Sequence, residues 1–224
     1  MNLRLKKYKW NRFVFLKLEQ DTIPVSISRD MIKFIRGMNI NGKNVIDGGS
    51  NIGLYSLYFS RCIGKKGLVY AFEMQPVIYQ IGYDNAILNN KKNIISYNLA
   101  LSDKSNGTVG FTEIDYWGEQ VSSGGIRVEL GLNGSEHCGR IQTIALDDMD
   151  IQNVGLIKLD LEGHEPKALD GMWATIDKWK PYLIIELSPG YLLDGKDEET
   201  IERIKSHGYS LIVGGDYNYF FEPI

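Results

Sequence analysis

Charged side chains cluster in the segment LIKLDLEGHEP, residues 156–166. Residues of the same parity share one face of an extended strand, so Lys158, Asp160 and Glu162 are predicted to line the same side. A lysine in a buried strand needs an acidic partner. Asp160 and Glu186, in the later segment LIIEL, are the nearest plausible ones. The pattern predicts a polar cluster at the carboxyl edge of a sheet, formed by Lys158, Asp160, Glu162, His164 and Glu186.

This predicted cluster suits acid–base chemistry. Removal of a proton from a hydroxyl needs a base within hydrogen-bonding distance, and Asp160, Glu162 or His164 can serve. His164 is slightly favoured as the base because the ordinary pKa of histidine is near ~6.5, although a histidine after a strand also commonly caps the next helix. Asp160 is the safer candidate for a position beside bound ligands.

The same side chains allow a second chemistry. Asp160, Glu162, His164 and Glu186 could together hold Mg²⁺ or Ca²⁺, which orients hydroxyl groups and lowers their pKa. The spacing is not diagnostic, and a hydrogen-bonded network around Lys158 is the alternative. We therefore assign no metal ligand and keep a divalent cation as an option.

A second informative stretch is NVIDGGSNIG, residues 44–53, in which an apolar strand ends in Asp47 and then a glycine-rich turn. Such a turn lets a ligand approach the backbone and directs a helix N-terminus at it. A pyrophosphate would be repelled by Asp47, whereas a ligand with an ammonium group and a sulfonium would be attracted. The dinucleotide pattern G-x-G-x-x-G is also absent. The residues predicted to contact this ligand are Asp47, Gly49, Ser50, Asn51 and Gly53.

Glu73 closes the next apolar segment, VYAFE, and follows Gly53 by 20 residues. An acid at this point can accept hydrogen bonds from both ribose hydroxyls of an adenosine. Together with Asp47 and the turn, Glu73 predicts a nucleoside-binding site.

These residues must be positioned by a regular alternation of strands and helices. Apolar strands alternate with helical segments near 52–62, 76–89, 166–178 and 197–207, which predicts a parallel sheet covered by helices on both faces. Ligands bind beyond the carboxyl ends of such strands. A loose alternation over 11–27 predicts a hairpin, and Ser28 begins a helix. The predicted strands are Asn44–Asp47, Leu68–Glu73, Ile94–Leu99, Leu156–Leu161, Leu183–Leu187 and Tyr209–Val213.

A glycine-rich segment, 104–142, interrupts this alternation. Long loops of this kind are commonly lids or binding loops. Its strand-like pieces, 108–112 and 141–144, are predicted to extend the sheet, and the segment is predicted to lie on the substrate side. Tyr116 and Trp117 are the aromatic pair that could stack on a sugar ring.

Size and composition suit one α/β domain of 224 residues, with a hairpin and helix in 1–40 and the core in 41–224. The net charge of −3 gives no reason to expect a nucleic-acid partner. The two cysteines indicate neither a disulfide framework nor a zinc site, and no signal peptide or membrane span is evident. A cytoplasmic location is expected. The basic cluster Arg4, Lys6, Lys7 and Lys9 is interpreted as a solvated end rather than a phosphate or membrane contact.

Several motifs, in order, resemble the FkbM family of methyltransferases over roughly residues 40–190. They are VIDGGSNIGLYSLYFS, VYAFEMQPVIYQIGYDNAILN, ALSD, TIALDDM, IKLDLEGHEPKALDGM and PYLIIEL. The family commonly has Val-Gly-Ala where this chain has Gly48-Gly49-Ser50, and proline where it has Met74. Both departures are mild.

The resemblance implies a Rossmann-like, doubly wound, mostly parallel seven-stranded sheet and S-adenosylmethionine as the cofactor. It implies O-methylation of a carbohydrate or a related small natural product, so the expected partner is a small-molecule or glycan acceptor. It places Met74, Ala100, Leu101 and Ser102 at the cofactor, with Asp103 a weaker candidate. The alternatives are a cofactor-binding module without turnover, a methyltransferase acting on RNA or protein, and a nicotinamide-dependent oxidoreductase. The last is disfavoured by Asp47 and the missing fingerprint.

Overall fold

The computed structural model describes residues 4–22, 24–112, 115–116, 123, 128–129, 138–187, 196–212 and 217–224. The strands are β1 Leu5–Trp10, β2 Phe13–Leu18, β3 Asn44–Gly48, β4 Val69–Phe72, β5 Ile94–Tyr97, β6 Ala100–Leu101, β7 Thr108–Thr112, β8 Val128–Glu129, β9 Cys138–Ile144, β10 Val154–Leu159, β11 Tyr182–Glu186, β12 Tyr209–Ile212 and β13 Asn218–Pro223. The helices are α1 Arg29–Gly37, α2 Leu54–Cys62, α3 Pro76–Leu88, α4 Glu165–Asp170, α5 Trp173–Trp179 and α6 Lys196–Ser206.

Seven strands form the main sheet in the order β12-β13-β11-β10-β3-β4-β5. The strands from β11 to β5 run parallel, and β13 is inserted antiparallel between β11 and β12. The seven-stranded, mostly parallel sheet is therefore confirmed. All six predicted strands belong to it with ends that differ by one or two residues, and Val213 lies outside the described residues. Strand β13 was not predicted.

The central strands β3 and β10 are almost entirely buried, as expected of strands that are covered on both faces. Their register sets Lys158 of β10 opposite Asp47 of β3, one position before both strands end. Glu186 ends β11, and Glu73 directly follows β4. The predicted acids therefore meet at the carboxyl edge of one sheet.

Helix α1 begins as predicted, because the Ser28 hydroxyl accepts a hydrogen bond from the Met31 N–H at 3.2 Å. The helix predicted over 166–178 is instead two helices, α4 and α5, separated at Gly171. A β-carbon at Gly171 would lie 2.0 Å from the Ser102 carbonyl oxygen. The chain therefore turns at this glycine, where it contacts the residues that follow β6.

The N-terminal hairpin lies earlier in the chain than predicted, since β1 pairs with β2 in antiparallel register. The hairpin predicted over 11–27 is wrong for Val25 and Ile27, which belong to no strand, while Ile23 lies outside the described residues. The hairpin turns at Asn11, whose φ is +53°. Lys6, Lys7 and Lys9 lie on β1 with exposed side chains, as expected of a solvated strand.

Side-chain amides of α3 and of its C-cap residue Asn89 attach the hairpin to the core. Asn85 accepts a hydrogen bond from the Leu16 N–H at 2.6 Å and donates one to the Leu16 carbonyl at 3.0 Å. Asn89, one helical turn later, does the same with Val14, at 2.9 and 2.6 Å. These two asparagines take the place of a neighbouring strand, so β2 is fixed in position against the helix.

The strand-like pieces of the 104–142 segment are strands, as predicted, but they do not extend the main sheet. They belong to a separate four-stranded sheet in the order β6-β9-β7-β8. Strand β6 pairs with β9 in parallel. Among the described residues, no helix has the length and apolar character needed to cross a bilayer.

Candidate functional site

A cavity of about 270 Å³ opens at the carboxyl edge of the main sheet. Seven parts of the chain line it: the hairpin region, the turn after β3 with the start of α2, the end of β4 with the residues after it, the start of β6, Ser123, the end of β10 and the end of β11. The lining residues are Lys17, Asp21, Pro24, Ser26, Gly49, Ser50, Asn51, Ile52, Leu54, Tyr55, Phe72, Glu73, Met74, Gln75, Leu99, Ala100, Leu101, Ser123, Lys158, Asp160, Leu161, Glu162, His164 and Glu186.

Gly49, in the glycine turn, has a positive φ of +70°, and a β-carbon there would lie 1.9 Å from the Asp160 carbonyl oxygen. The Asp160 N–H donates to the Gly48 carbonyl at 3.2 Å, so the end of β10 lies directly against the turn. The packing of the Asp160 backbone against the turn therefore requires a glycine at position 49, in addition to the predicted approach of a ligand. Gly53 starts α2 with φ +83° and packs against Gly82 rather than lining the cavity.

Asp47 does not line the cavity, so the prediction that it contacts the ligand directly is not supported. Its side chain is 0% exposed. It accepts a hydrogen bond from the Ser56 hydroxyl at 2.5 Å, and its other oxygen lies 3.7 Å from the Lys158 ammonium. Asp47 acts beneath the cavity because its position within β3 directs it into the layer between sheet and helix.

Glu73 lines the cavity with its carboxylate held by two backbone donors. One oxygen accepts the Asn51 N–H at 2.9 Å, and the other accepts the Gln75 N–H at 2.8 Å. Each carboxylate oxygen has a second lone pair, so both can still accept a ligand hydroxyl. Burial raises the pKa of Glu73 to about 7, although both backbone hydrogen bonds oppose the shift. Its binding to a ribose stays a prediction.

Lys158 organises the predicted polar cluster. It is 1% exposed, and its ammonium lies 3.2 Å from Asp160, 3.7 Å from Asp47 and 4.9 Å from the centre of the Tyr55 ring. Burial alone would lower the pKa of Lys158, but Asp160 and Asp47 reverse that effect and raise it. The ammonium is therefore charged and fixed in the cavity wall.

Asp160 and Glu186 form a hydrogen-bonded pair of carboxyl groups in the cavity wall. Burial, the charge of Asp160 and this hydrogen bond raise the pKa of Glu186, while Lys158 opposes the shift. Asp160 is closer to the Lys158 ammonium and is 30% exposed. The raised pKa favours the protonated form of Glu186, and Asp160 is the accessible member that pairs with Lys158.

His164 lines the cavity on another side from Lys158. Its Nε2 lies 3.1 Å from the Ser102 hydroxyl, and Ser102 also donates to Asp103 at 3.1 Å. Burial lowers the pKa of His164 to about 4, below the value that favoured it as a base. His164 does occupy the N-cap position of α4, where its carbonyl accepts the Ala168 N–H at 3.0 Å, but its side chain makes no capping hydrogen bond.

Glu162 lines the cavity together with Leu161, which contradicts the prediction that alternate residues stay on opposite faces. The strand ends at Leu159, and Glu162 then adopts a left-handed φ of +54°. Glu165, which the sequence analysis did not assign, shapes this turn. Its two oxygens accept the Leu161 N–H at 2.6 Å and the Gly163 N–H at 2.9 Å.

The predicted residues at the other end of the cavity are mostly in place. Ser50, Asn51, Met74, Ala100 and Leu101 line it. Ser102 does not, since its hydroxyl is directed at His164. Asp103 likewise pairs with Lys167 at 3.1 Å.

The predicted role of Tyr116 in stacking on a sugar is not supported. Its ring is buried against the hairpin, and its hydroxyl donates to Gln75 at 3.0 Å. Trp117 lies outside the described residues. Twelve of the lining residues were not predicted, and six of them carry polar side chains: Lys17, Asp21, Ser26, Tyr55, Gln75 and Ser123. The one available signal was Lys17, a charge at a core-facing position of an alternating strand.

No cluster of three or more histidine, cysteine or acidic side chains is arranged to hold a metal within the described part of the chain. Asp160 instead contacts Lys158 and is hydrogen-bonded to Glu186, which is a network of the kind given as the alternative.

The seven-stranded, mostly parallel sheet with a cavity at its carboxyl edge is the fold of the class I S-adenosylmethionine-dependent methyltransferases. The profile of the FkbM methyltransferase domain matches residues 47–211, which is most of the chain. The chain belongs to the FkbM family of methyltransferases.

Solved structures agree on the fold. A methyltransferase FkbM from Methylobacillus flagellatus is 19% identical with a TM-score of 0.54, and the match covers 80% of this chain and 43% of that one. This chain thus spans less than half the length of that relative. A precorrin-6y C5,15-methyltransferase from Geobacter metallireducens is 9% identical, with a TM-score of 0.53 and 90% coverage of both chains.

A third structure, an S-adenosylmethionine-dependent O-methyltransferase from Thermotoga maritima, is 12% identical with a TM-score of 0.53. The match covers 89% of this chain and 66% of that one. A sequence comparison with curated proteins gives no match. Since the three structures are described as different methyltransferases, the shared fold does not identify the acceptor.

Proposed function

We propose that this chain transfers the methyl group of S-adenosylmethionine to a hydroxyl oxygen of a carbohydrate or a related small molecule. The observation that carries the proposal is the arrangement of acids around one cavity. Glu73 lies in one wall with its carboxylate held by backbone donors, and the Asp160–Glu186 pair lies in another, above the charged Lys158.

The residues of the cavity fit an adenosyl ligand. The Glu73 carboxylate retains acceptor capacity for two ribose hydroxyls. Met74, Leu99 and Leu101 supply apolar surface where an adenine ring would lie. The turn at Ser50 and Asn51 brings backbone against the same space. When bound, the sulfonium supplies an electrophilic methyl group.

Asp160 is the group that would accept the hydroxyl proton in this reaction. It lines the cavity, is 30% exposed and lies 3.2 Å from the Lys158 ammonium, which holds it in place. Methyl transfer is an in-line displacement, so the residues of the wall contribute chiefly by orienting the acceptor and excluding water. His164 contributes as a neutral side chain, because its lowered pKa keeps it uncharged at pH 7. A hydroxyl acceptor is favoured over an amine because the chain has no Asp-Pro-Pro-Tyr-like motif.

Binding and turnover can be tested separately. In calorimetry, S-adenosylmethionine and S-adenosylhomocysteine should bind and NAD should not. Glu73→Gln should weaken S-adenosylhomocysteine binding at least about tenfold, since an amide cannot accept from both the Asn51 and Gln75 N–H groups and from a diol. Glu202→Gln, on exposed α6, is the matched control and should bind as the wild type does.

Release of S-adenosylhomocysteine would then be measured with a panel of sugars, glycosides, short RNA and peptides. Turnover with the hydroxylated small molecules supports the proposal. Turnover with RNA or peptide but with none of the small molecules would contradict the proposed acceptor class. Binding without turnover on any acceptor favours the module alternative, and binding of NAD alone would contradict the cofactor.

A further inference from the structure

Lys17 is a charged residue where the strand pattern requires an apolar one. Phe13 and Phe15 of β2 face the core, and Lys17 is the next residue of the same parity. It is only 4% exposed, and it lines the cavity. Burial lowers the pKa of Lys17, and Asp21 opposes that shift. A lysine buried at such a position is costly, which points to a role for its charge in the cavity.

Asp21 brings an opposite charge to the same wall and connects it to the glycine turn. Its oxygens accept the Ser123 N–H at 3.3 Å and the Ser123 hydroxyl at 2.6 Å. The Ser123 carbonyl in turn accepts the Asn51 side-chain amide at 3.0 Å, and the Asn51 N–H is bound to Glu73. Asp21 is therefore connected through Ser123 to Asn51, in the turn that holds Glu73, the acid predicted to bind the nucleoside.

The hairpin holds these charges in a fixed position. The hydrogen bonds from Asn85 to Leu16 and from Asn89 to Val14 fix β2 against α3 just before Lys17. Asn85 also donates to the Ile52 carbonyl at 2.9 Å, which follows Asn51 in the turn. One side chain therefore joins the strand that bears Lys17 to the cofactor turn.

The cofactor has three groups on its sulfur, and the cavity has three polar regions. Glu73 suits the adenosine, and Asp160 with Glu186 suits the methyl group and its acceptor. The third group, the aminoacyl end, carries a carboxylate and an ammonium. Asp47 was predicted to attract that ammonium, but it lies below the cavity and is paired with Ser56 and Lys158. Another pair of charges must take this role.

We propose that Lys17 and Asp21 bind the zwitterionic aminoacyl end of the cofactor. Lys17 binds the carboxylate of the cofactor, and Asp21 binds the ammonium of the cofactor. This inference rests on the proposed function. A pair of opposite charges matches a zwitterion, whereas a purely anionic acceptor group would be attracted by Lys17 and repelled by Asp21. The N-terminal hairpin is thus part of the cofactor site.

Two ligands test the inference without any acceptor. S-adenosylhomocysteine has the aminoacyl end, and 5′-methylthioadenosine keeps the adenosine and the sulfur but lacks that end. Calorimetry of both ligands would be compared for the wild type, Lys17→Met and Asp21→Asn. Lys9→Met, on the exposed neighbouring strand β1, is the matched control. Each cavity variant should lose S-adenosylhomocysteine affinity at least about tenfold, as expected when a charged hydrogen bond is removed.

Affinity for 5′-methylthioadenosine separates this role from a structural one, because a misfolded cavity would lose both ligands. Unchanged methylthioadenosine binding with weakened S-adenosylhomocysteine binding supports the assignment. Equal losses for both ligands, or no loss for either, would overturn it. If the wild type binds both ligands equally well, the aminoacyl site is absent while the proposed function survives. If it binds neither, the proposed function itself fails.

Discussion

The carbonyl oxygen of Asp160 occupies the space beside Gly49 that a side chain would need, 1.9 Å from where a β-carbon would lie. The acid at the end of β10 and the turn after β3 are therefore in direct backbone contact. A displacement of one moves the other. This contact makes the predicted catalytic acid and the predicted cofactor turn parts of one structural unit.

Gly49→Ala should break that unit. The β-carbon would clash with a backbone oxygen, and alanine would also be strained at φ +70°. We expect the free energy of unfolding to fall by at least about 2 kcal/mol and cofactor affinity to fall with it. Chemical unfolding and calorimetry with S-adenosylhomocysteine measure the two effects.

Gly37→Ala is the matched control for that substitution. Gly37 ends α1, and a β-carbon there meets nothing within 4 Å. Its stability should be unchanged or slightly higher, since alanine favours a helix over glycine. Equal stability of Gly49→Ala and Gly37→Ala would show that the contact with Asp160 is not rigid.

Much of the architecture could be predicted because it depends on local patterns. The apolar runs that end in Asp47, Glu73 and Glu186 give both the strands and the edge where ligands bind. Strand β13 was missed because only its pairing with β11 and β12 defines it. The hairpin was misplaced because β1 is rich in lysine and shows no buried face of its own.

The site was predicted less completely than the fold because side-chain direction depends on tertiary contacts. The sequence shows that Asp47 is acidic and His164 is basic. It does not show that Asp47 pairs with Lys158 or that His164 is hydrogen-bonded to Ser102. The turn at Glu162 also interrupts the parity rule. Lys17 was within reach of sequence reasoning, since its parity with the buried phenylalanines of β2 marks it as anomalous.

Lys158→Met should destabilise the fold strongly, because it leaves the fully buried Asp47 carboxylate without its cation. We expect the free energy of unfolding to fall by about 3–5 kcal/mol. The double variant Lys158→Met/Asp47→Asn should recover most of that loss, because the unpaired charge is removed as well. Urea unfolding of the wild type and the three variants gives the cycle, and additive losses would exclude the coupling.

Asp160→Asn should lower turnover by about 100-fold or more, since an amide cannot accept the hydroxyl proton. Glu186→Gln should keep most of the turnover. The raised pKa of Glu186 favours its protonated carboxyl group, and an amide N–H can replace that group as a hydrogen-bond donor. Initial rates would be measured with saturating donor and the acceptor found in the release assay. Melting temperatures of both variants check the fold, and an active Asp160→Asn would move the base elsewhere.

His164 should give the protein a specific pH dependence of stability. Its pKa is lowered to about 4 in the folded state, mainly by burial, so between about pH 4 and its ordinary value near ~6.5 only the unfolded chain binds the proton. His164 therefore costs stability as the pH falls through that window. Burial raises the pKa of Glu165 to about 7, which gives an opposite slope in the same range.

The difference in free energy of unfolding between the wild type and His164→Gln isolates the histidine. It should grow in favour of the variant from pH 7 to pH 4.5, and a difference that does not change with pH would contradict the buried, neutral imidazole.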